Sequence, residues 1–224
     1  MGRPRSDIQP RILHAARARF LADGVDGASL RNIAKEAKTS IGMVFYYYPT
    51  KDALFLAVVE EVYAKLLADL ERILAPTEDG EATVRERLGR AFARFGQASD
   101  DEIDVVRLVV REALVSSDRF RAVLGRFRSG HVAMILRTLA EGVERGEIDD
   151  MLPLAVVLAA TFGVGGVPQV MRRVAGKQLP FALPSADALA ESALAILFEG
   201  IGTKEKTKKP EGVSAASRPR RARR

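Results

Sequence analysis

The sequence predicts an all-α chain in two unequal parts: an N-terminal set of three helices with a helix-turn-helix order, then a longer helical body. Three observations carry this. Between Ile8 and Gly200 apolar residues recur at three- and four-residue spacing and do not alternate, so no strand is expected. Two short helical stretches follow a longer one and are separated by only a few residues. Ser, Thr, Gly and Pro stand where helices would have to start or stop.

Each element follows from its residues. Ile8, Ile12, Ala15, Ala16 and Phe20 form one apolar stripe, and Gly24 is expected to end that helix in a left-handed conformation. Ser29 is an N-cap for a short helix presenting Leu30, Ile33, Ala34 and Ala37 to a core. A second short helix opens near Ser40 and must stop by Tyr48, because Pro49 disfavours helical backbone in the residue before it. Thr50 caps a long helix from Lys51 to about Ala75, with Leu54, Val58, Val62, Leu66, Leu70 and Leu74 on one side. Pro76 to Gly80 breaks it. Helices are then expected near 82–98, 102–116, 119–128, 130–146, 154–165 and 186–199, with a connection over 168–184 whose beginning is helix-compatible. Residues 203–224 have no apolar period and are rich in Lys, Arg, Pro and Ser, which predicts a disordered tail.

Charge is unevenly spread. Residues 1–51 hold nine Lys/Arg against four Asp/Glu, residues 52–202 seventeen against twenty-three, and residues 203–224 nine against two. Basic ends on a mildly acidic body point to a polyanion met through the termini, or to ordinary solvated charge. The chain has no cysteine and two histidines, His14 and His131, which removes thiolate sites and leaves little for histidine-based metal or triad chemistry. With no phosphate loop and no nucleophile motif either, no enzymatic activity, metal or cofactor is expected. The arginine-rich start lacks a signal-peptide core, so a soluble cytoplasmic protein is expected. The uncharged stretch Met151–Met171 has a continuous apolar core only from Leu154 to Val164, too short to cross a membrane, and predicts a buried or interface helix.

The second short helix is odd as a purely structural element. Gly42 costs about 1 kcal/mol relative to alanine in a helix, and Phe45-Tyr46-Tyr47-Tyr48 puts four aromatics where only some can be buried. A glycine lets the backbone approach something closely, and tyrosine hydroxyls reach phosphates. Lys51 sits in the first turn of the long helix, where the macrodipole disfavours a cation unless an anion is bound beside it.

The run Ile12–Phe20, Gly24, Ser29–Ala34, Ala37, Ser40-x-Gly42, Tyr46–Tyr48 and Lys51-x-x-Leu54-Phe55 resembles the DNA-binding domain of the TetR family of transcriptional regulators. The resemblance covers about residues 8–60; the remainder agrees in length and helical character. It implies a DNA-binding domain over 1–51 with a basic arm at 1–7, an effector-binding and dimerisation domain over 52–202, and the basic tail at 203–224. It further implies a homodimeric repressor of a palindromic operator on double-stranded DNA, released by a small-molecule effector. Base and phosphate contacts fall to Thr39, Ser40, Ile41, Gly42, Met43, Phe45, Tyr46, Tyr47 and Lys51, with Ser29 and Arg31 as backbone contacts. Met43 stands where a small polar residue is common and Phe45 where tyrosine is common, which affects operator sequence. Arg3 and Arg5 form an arm suited to the minor groove, or simply a frayed start.

Effector candidates on the central helices are Phe92, Phe95, Arg111, His131, Met134 and Phe162, each also compatible with plain core or surface. The resemblance places a subunit interface on the last two main helices, at Ala155, Ala159, Ala160, Ala190, Ala193 and Leu197. The alternative function is non-specific, architectural DNA binding driven by the basic tail.

Overall fold

A computed structural model of the chain describes residues 7–76, 82–115, 118–176 and 178–201. Arg3, Arg5 and the tail at 203–224 lie outside the described residues, as do most of the expected breaker after Pro76 and Ser117. Among the described residues every regular element is helical. The N-terminal set is α1 (Ile8–Gly27), α2 (Leu30–Glu36) and α3 (Ile41–Tyr47), followed by the long α4 (Lys51–Leu74). The body continues with α5 (Val84–Gly96), α6 (Asp100–Val115), α7 (Asp118–Ser129), α8 (His131–Glu144) and α9 (Leu154–Ala160). A π-helical turn (Thr161–Gly166) joins α9 to α10 (Val167–Val174), and α11 (Ala186–Ile201) follows.

The caps stand where the sequence puts them. Ser29, Ser40 and Thr50 accept hydrogen bonds from the backbone N–H of Asn32, Met43 and Ala53, at 3.5, 3.2 and 3.0 Å. Thr83 and Glu86 form a reciprocal capping box at the start of α5. Gly24 does interrupt α1, but not in the left-handed helical conformation: its φ of 75° and ψ of 166° fall in a region open essentially to glycine alone, and the helix resumes to Gly27 beyond the kink.

Two apolar clusters make up the interior. The first joins Ile12, Ala16 and Phe20 of α1, Ile33 of α2 and Val44 of α3 to Leu54, Phe55 and Val58 of α4, and extends to Val105 and Leu108 of α6 and Val123 of α7. The second gathers Leu70 and Leu74 of α4 with Leu88 and Phe92 of α5, Ile135 and Leu139 of α8, Val157 of α9, and Ala190, Ala193 and Leu197 of α11. The single helix α4 thus contributes one end to each cluster, and the first cluster ties the N-terminal helices to the body.

The glycines after Leu154 do not end that helix. The backbone widens into the π turn and continues, with Pro168 in the first turn of α10, where a missing N–H is tolerated. Gly165 also lets the Phe92 ring lie where a β-carbon would collide with it. Leu154–Val174 is therefore one 21-residue helix that includes an 18-residue window of mean hydropathy 1.8, long and apolar enough by length and composition to cross a membrane. The helix is thus longer than the 154–165 expected from the sequence, because it does not end at its glycines. In the fold it packs beside α11 and α5, and Arg172 at its end donates to the Gly96 carbonyl at 2.8 Å.

Candidate nucleic-acid interface

The turn between α2 and α3 is built by backbone chemistry. Lys38 adopts φ 51° just after α2, the N–H of Thr39 donates to the Ala34 carbonyl at 3.0 Å, and that of Lys38 to the Lys35 carbonyl at 3.1 Å. This is a Schellman arrangement with lysine in the place glycine usually takes. A guanidinium closes it from outside: Arg11 of α1 donates to the Ala37 carbonyl at 2.8 Å. Nothing in the spacing of Arg11 along the chain indicates a capping partner 26 residues away. Arg19 of α1 pairs with Glu36 at the end of α2, which fixes the same packing from the other side.

On this frame α3 buries one residue, Val44. Ile41, Phe45 and Tyr46 are exposed, Tyr46 at 77%, while Met43 and Tyr47 are half-buried. Of the four consecutive aromatics Tyr48 is buried and Tyr47 packs half-buried against the first cluster, which leaves Phe45 and Tyr46 outward. Edge-to-face contact with Tyr47 (centroids 5.3 Å apart) orders Tyr46 without covering it. Gly42 is exposed on the same helix, and a β-carbon there would meet only the Ser40 hydroxyl at 3.8 Å, an ordinary contact. Nothing within the chain requires glycine at that position. Thr39, Ser40 and Arg31 border this face, Thr39 half-buried and the other two exposed.

Lys51 is more engaged than the sequence suggested. Its ammonium donates to the Asp26 carbonyl at 2.7 Å, bridging the start of α4 to the end of α1. Next to it, Arg119 of α7 donates to the carboxylates of Asp26, Asp52 and Glu112, each at 2.9 Å. Burial opposes the Arg119 charge, but the three hydrogen bonds more than offset it and raise its pKa. The hydrogen bond from Arg119 and then its charge hold Asp26 below the usual carboxylate range. No sequence pattern marks Arg119, because its three partners come from three different helices.

The body candidates divide. Phe92, Phe95, Met134 and Phe162 all belong to or pack against the second cluster. His131 joins Phe162 through a ring contact at 5.6 Å and contacts Tyr63 and Phe127 as well. Arg111 lies elsewhere: its guanidinium packs on Gly24, where a β-carbon would come within 2.7 Å. Met134 also lines an open cavity of about 370 Å³ with Leu74, Arg87, Arg137 and Thr138. Of the interface candidates, Ala190, Ala193 and Leu197 are buried in this chain's own second cluster, packing α11 onto its neighbours. Ala155 and Ala159 are exposed and Ala160 is half-buried. The exposed apolar residues Val156, Val167, Met171 and Ile196 belong to the same helices.

Comparison with known proteins places this geometry. Residues 12–58 match the family model described as bacterial regulatory proteins, tetR family. The chain is 32% identical over 100 residues to the nicotine-responsive transcriptional repressor HdnoR of Paenarthrobacter nicotinovorans, a match covering 45% of this chain and 50% of that one. The chain therefore spans half the length of that relative. Over 174 residues it is 24% identical to the transcriptional regulator UidR of Escherichia coli K12, covering 73% of this chain and 84% of the relative. Its fold is similar to that of the regulator FadR from Bacillus subtilis, solved in complex with stearoyl-CoA, with a TM-score of 0.69 at 20% identity over 86% of this chain and 98% of that one. Residues 12–58 thus form a helix-turn-helix of the tetR-family type, and the helical body that follows has a fold similar to that of FadR.

Proposed function

We propose that this protein is a ligand-responsive transcriptional repressor that binds a palindromic operator as a homodimer and is released by a small-molecule effector. The observation that carries the reading is the face of α3: Ile41, Phe45 and Tyr46 project outward beside a glycine that the fold itself does not need. A residue-free gap flanked by exposed side chains suits a helix laid in the major groove, with Ser40, Gly42 and Met43 toward base edges and Tyr46, Tyr47 and Lys51 toward phosphates. Residues 1–51 form the DNA-binding domain in this reading and residues 52–202 the effector and dimerisation domain. Two copies would place their α3 helices in successive major grooves, about 34–36 Å apart.

The open apolar residues on α9, α10 and α11 support self-association, since an unpaired apolar face favours a partner of like chemistry. In this reading the effector is taken up by the body near Phe92, Phe95, Met134, Phe162 and His131, which gather in and around the second apolar cluster. Relatives named for a response to nicotine or solved with stearoyl-CoA support a responsive body while differing in what it accepts. Effector and operator must weaken each other's binding by the same factor.

Selection from a random duplex library at near-physiological salt tests the reading. Enrichment of a two-fold symmetric site is expected. Salt-sensitive binding with no enriched sequence would replace it with architectural binding driven by basic charge.

A further inference from the structure

Arg119 is the point at which the body holds the DNA-binding helices. It lies at the start of α7 with 12% of its side chain exposed, and it spreads three hydrogen bonds over three helices. One goes to Glu112 on α6, only 5% exposed, and anchors the guanidinium in the body. The other two go to Asp26, on the short segment after the Gly24 kink of the N-terminal helices, and to Asp52, in the first turn of α4 where the body begins. Both partners flank Lys51, whose ammonium is itself held by the Asp26 carbonyl. A second link runs parallel, because the Arg111 guanidinium of α6 packs on Gly24, and a third joins Asp101 of α6 to Arg17 of α1 at 2.7 Å.

We propose that Arg119 is a positioning residue for DNA recognition: its three-carboxylate clamp fixes the angle between the N-terminal helices and α6–α7, and so fixes the separation of the two recognition helices in a dimer. The planar fork of arginine is what allows it to address three acceptors in set directions, which an ammonium does not do. A shift of α6 would move Glu112, and through Arg119 the same shift would reach Asp26, Asp52 and Lys51. This inference rests on the operator reading above for its consequence, but not for the clamp itself.

The test compares the full-length protein with two variants. Asp26→Ala/Asp52→Ala cuts the clamp from its exposed side and leaves the buried Arg119–Glu112 pair intact; Arg119→Gln removes the centre. Each is titrated against the selected symmetric duplex and against duplexes one base pair longer or shorter at the centre. The unaltered protein should lose about tenfold or more in affinity when the spacing changes, since both half-sites must be met at once. In both variants that ratio should fall to about threefold or less, whatever the uniform change in affinity from altered charge, a rise where two carboxylates are lost and a fall where the guanidinium is lost. Arg119→Lys should fall between. An unchanged spacing ratio in the double variant, or a uniform loss at all spacings in both, overturns the proposal.

If selection yields no symmetric site, the operator reading fails by itself. Hydrogen exchange then decides the clamp: amides at 24–28 and 51–54 should exchange about tenfold or more faster in the double variant while those of α2 are unaffected. Equal exchange overturns it.

Discussion

Tyr63 and His131 are joined at two atoms. The Tyr63 hydroxyl lies 2.8 Å from the His131 Nδ1 and accepts from the His131 backbone N–H at 3.0 Å, so one phenol pins both the ring and the first residue of α8. With its hydroxyl proton directed to Nδ1, the imidazole carries its own proton on Nε2 and is neutral. Burial pushes the His131 pKa down to about 4.

That shift predicts a pH dependence of stability with a definite sign. A histidine whose folded-state pKa lies below its unfolded value binds a proton more readily when unfolded, so its full contribution is present above about pH 6.5. Stability should be lost as pH falls from there to about 4, by an amount on the order of 2 to 3 kcal/mol. Urea unfolding at a series of pH values measures it, and the difference from His131→Gln isolates this group. Equal slopes for the two proteins would show that His131 is not responsible. Tyr63→Phe should cost about 1–3 kcal/mol at neutral pH, because the buried imidazole and amide lose their common partner.

Gly42→Ala should separate stability from binding. The added methyl meets only the Ser40 hydroxyl at 3.8 Å, so the fold should gain up to about 1 kcal/mol from helix propensity. On DNA the same methyl occupies the gap that a groove wall would fill, and affinity should fall about tenfold or more. Thermal melts and fluorescence anisotropy on one sample check both. Undiminished binding would remove α3 from close contact with the duplex.

Lys38→Gly should stabilise the turn between α2 and α3. A non-glycine residue at φ 51° bears about 1–2 kcal/mol of steric cost, partly offset by the extra freedom glycine has when unfolded. A net gain of about 0.5 kcal/mol or more in denaturant melts is expected. A loss would mean that the Lys38 side chain has a compensating contact.

Lys51→Ala should weaken binding to all sequences about equally and reduce the salt slope by about 1, as for a phosphate contact. Met43→Ala should instead change which bases are preferred. Competition against a panel of single-base variants of the selected site distinguishes the two behaviours. An unaltered preference with Met43→Ala would place that residue away from base edges.

Much of this architecture is local and was therefore readable along the chain. Ser29, Ser40 and Thr50 cap helices because their short oxygens reach amides three residues on, and sequence order alone establishes that. The outward face of α3 was legible too, since one short helix cannot bury Phe45, Tyr46, Tyr47 and Tyr48 together. The helix expected over 154–165 continues past its glycines in the fold: a π turn is a backbone adjustment that accompanies packing against Phe92, and no local propensity announces it.

By itself the sequence determined helix type, helix order and the resemblance of the first sixty residues, because periodicity and capping act over three to seven positions. Only the tertiary structure decided which polar groups meet. Arg11 at the Ala37 carbonyl, Tyr63 at His131 and Arg119 among Asp26, Asp52 and Glu112 are pairings between distant segments. A charged side chain in a helical pattern looks the same whether it faces solvent or a carboxylate ninety residues away. The choice is made by how the helices stack, and stacking is set by the whole apolar surface rather than by any one stretch of it.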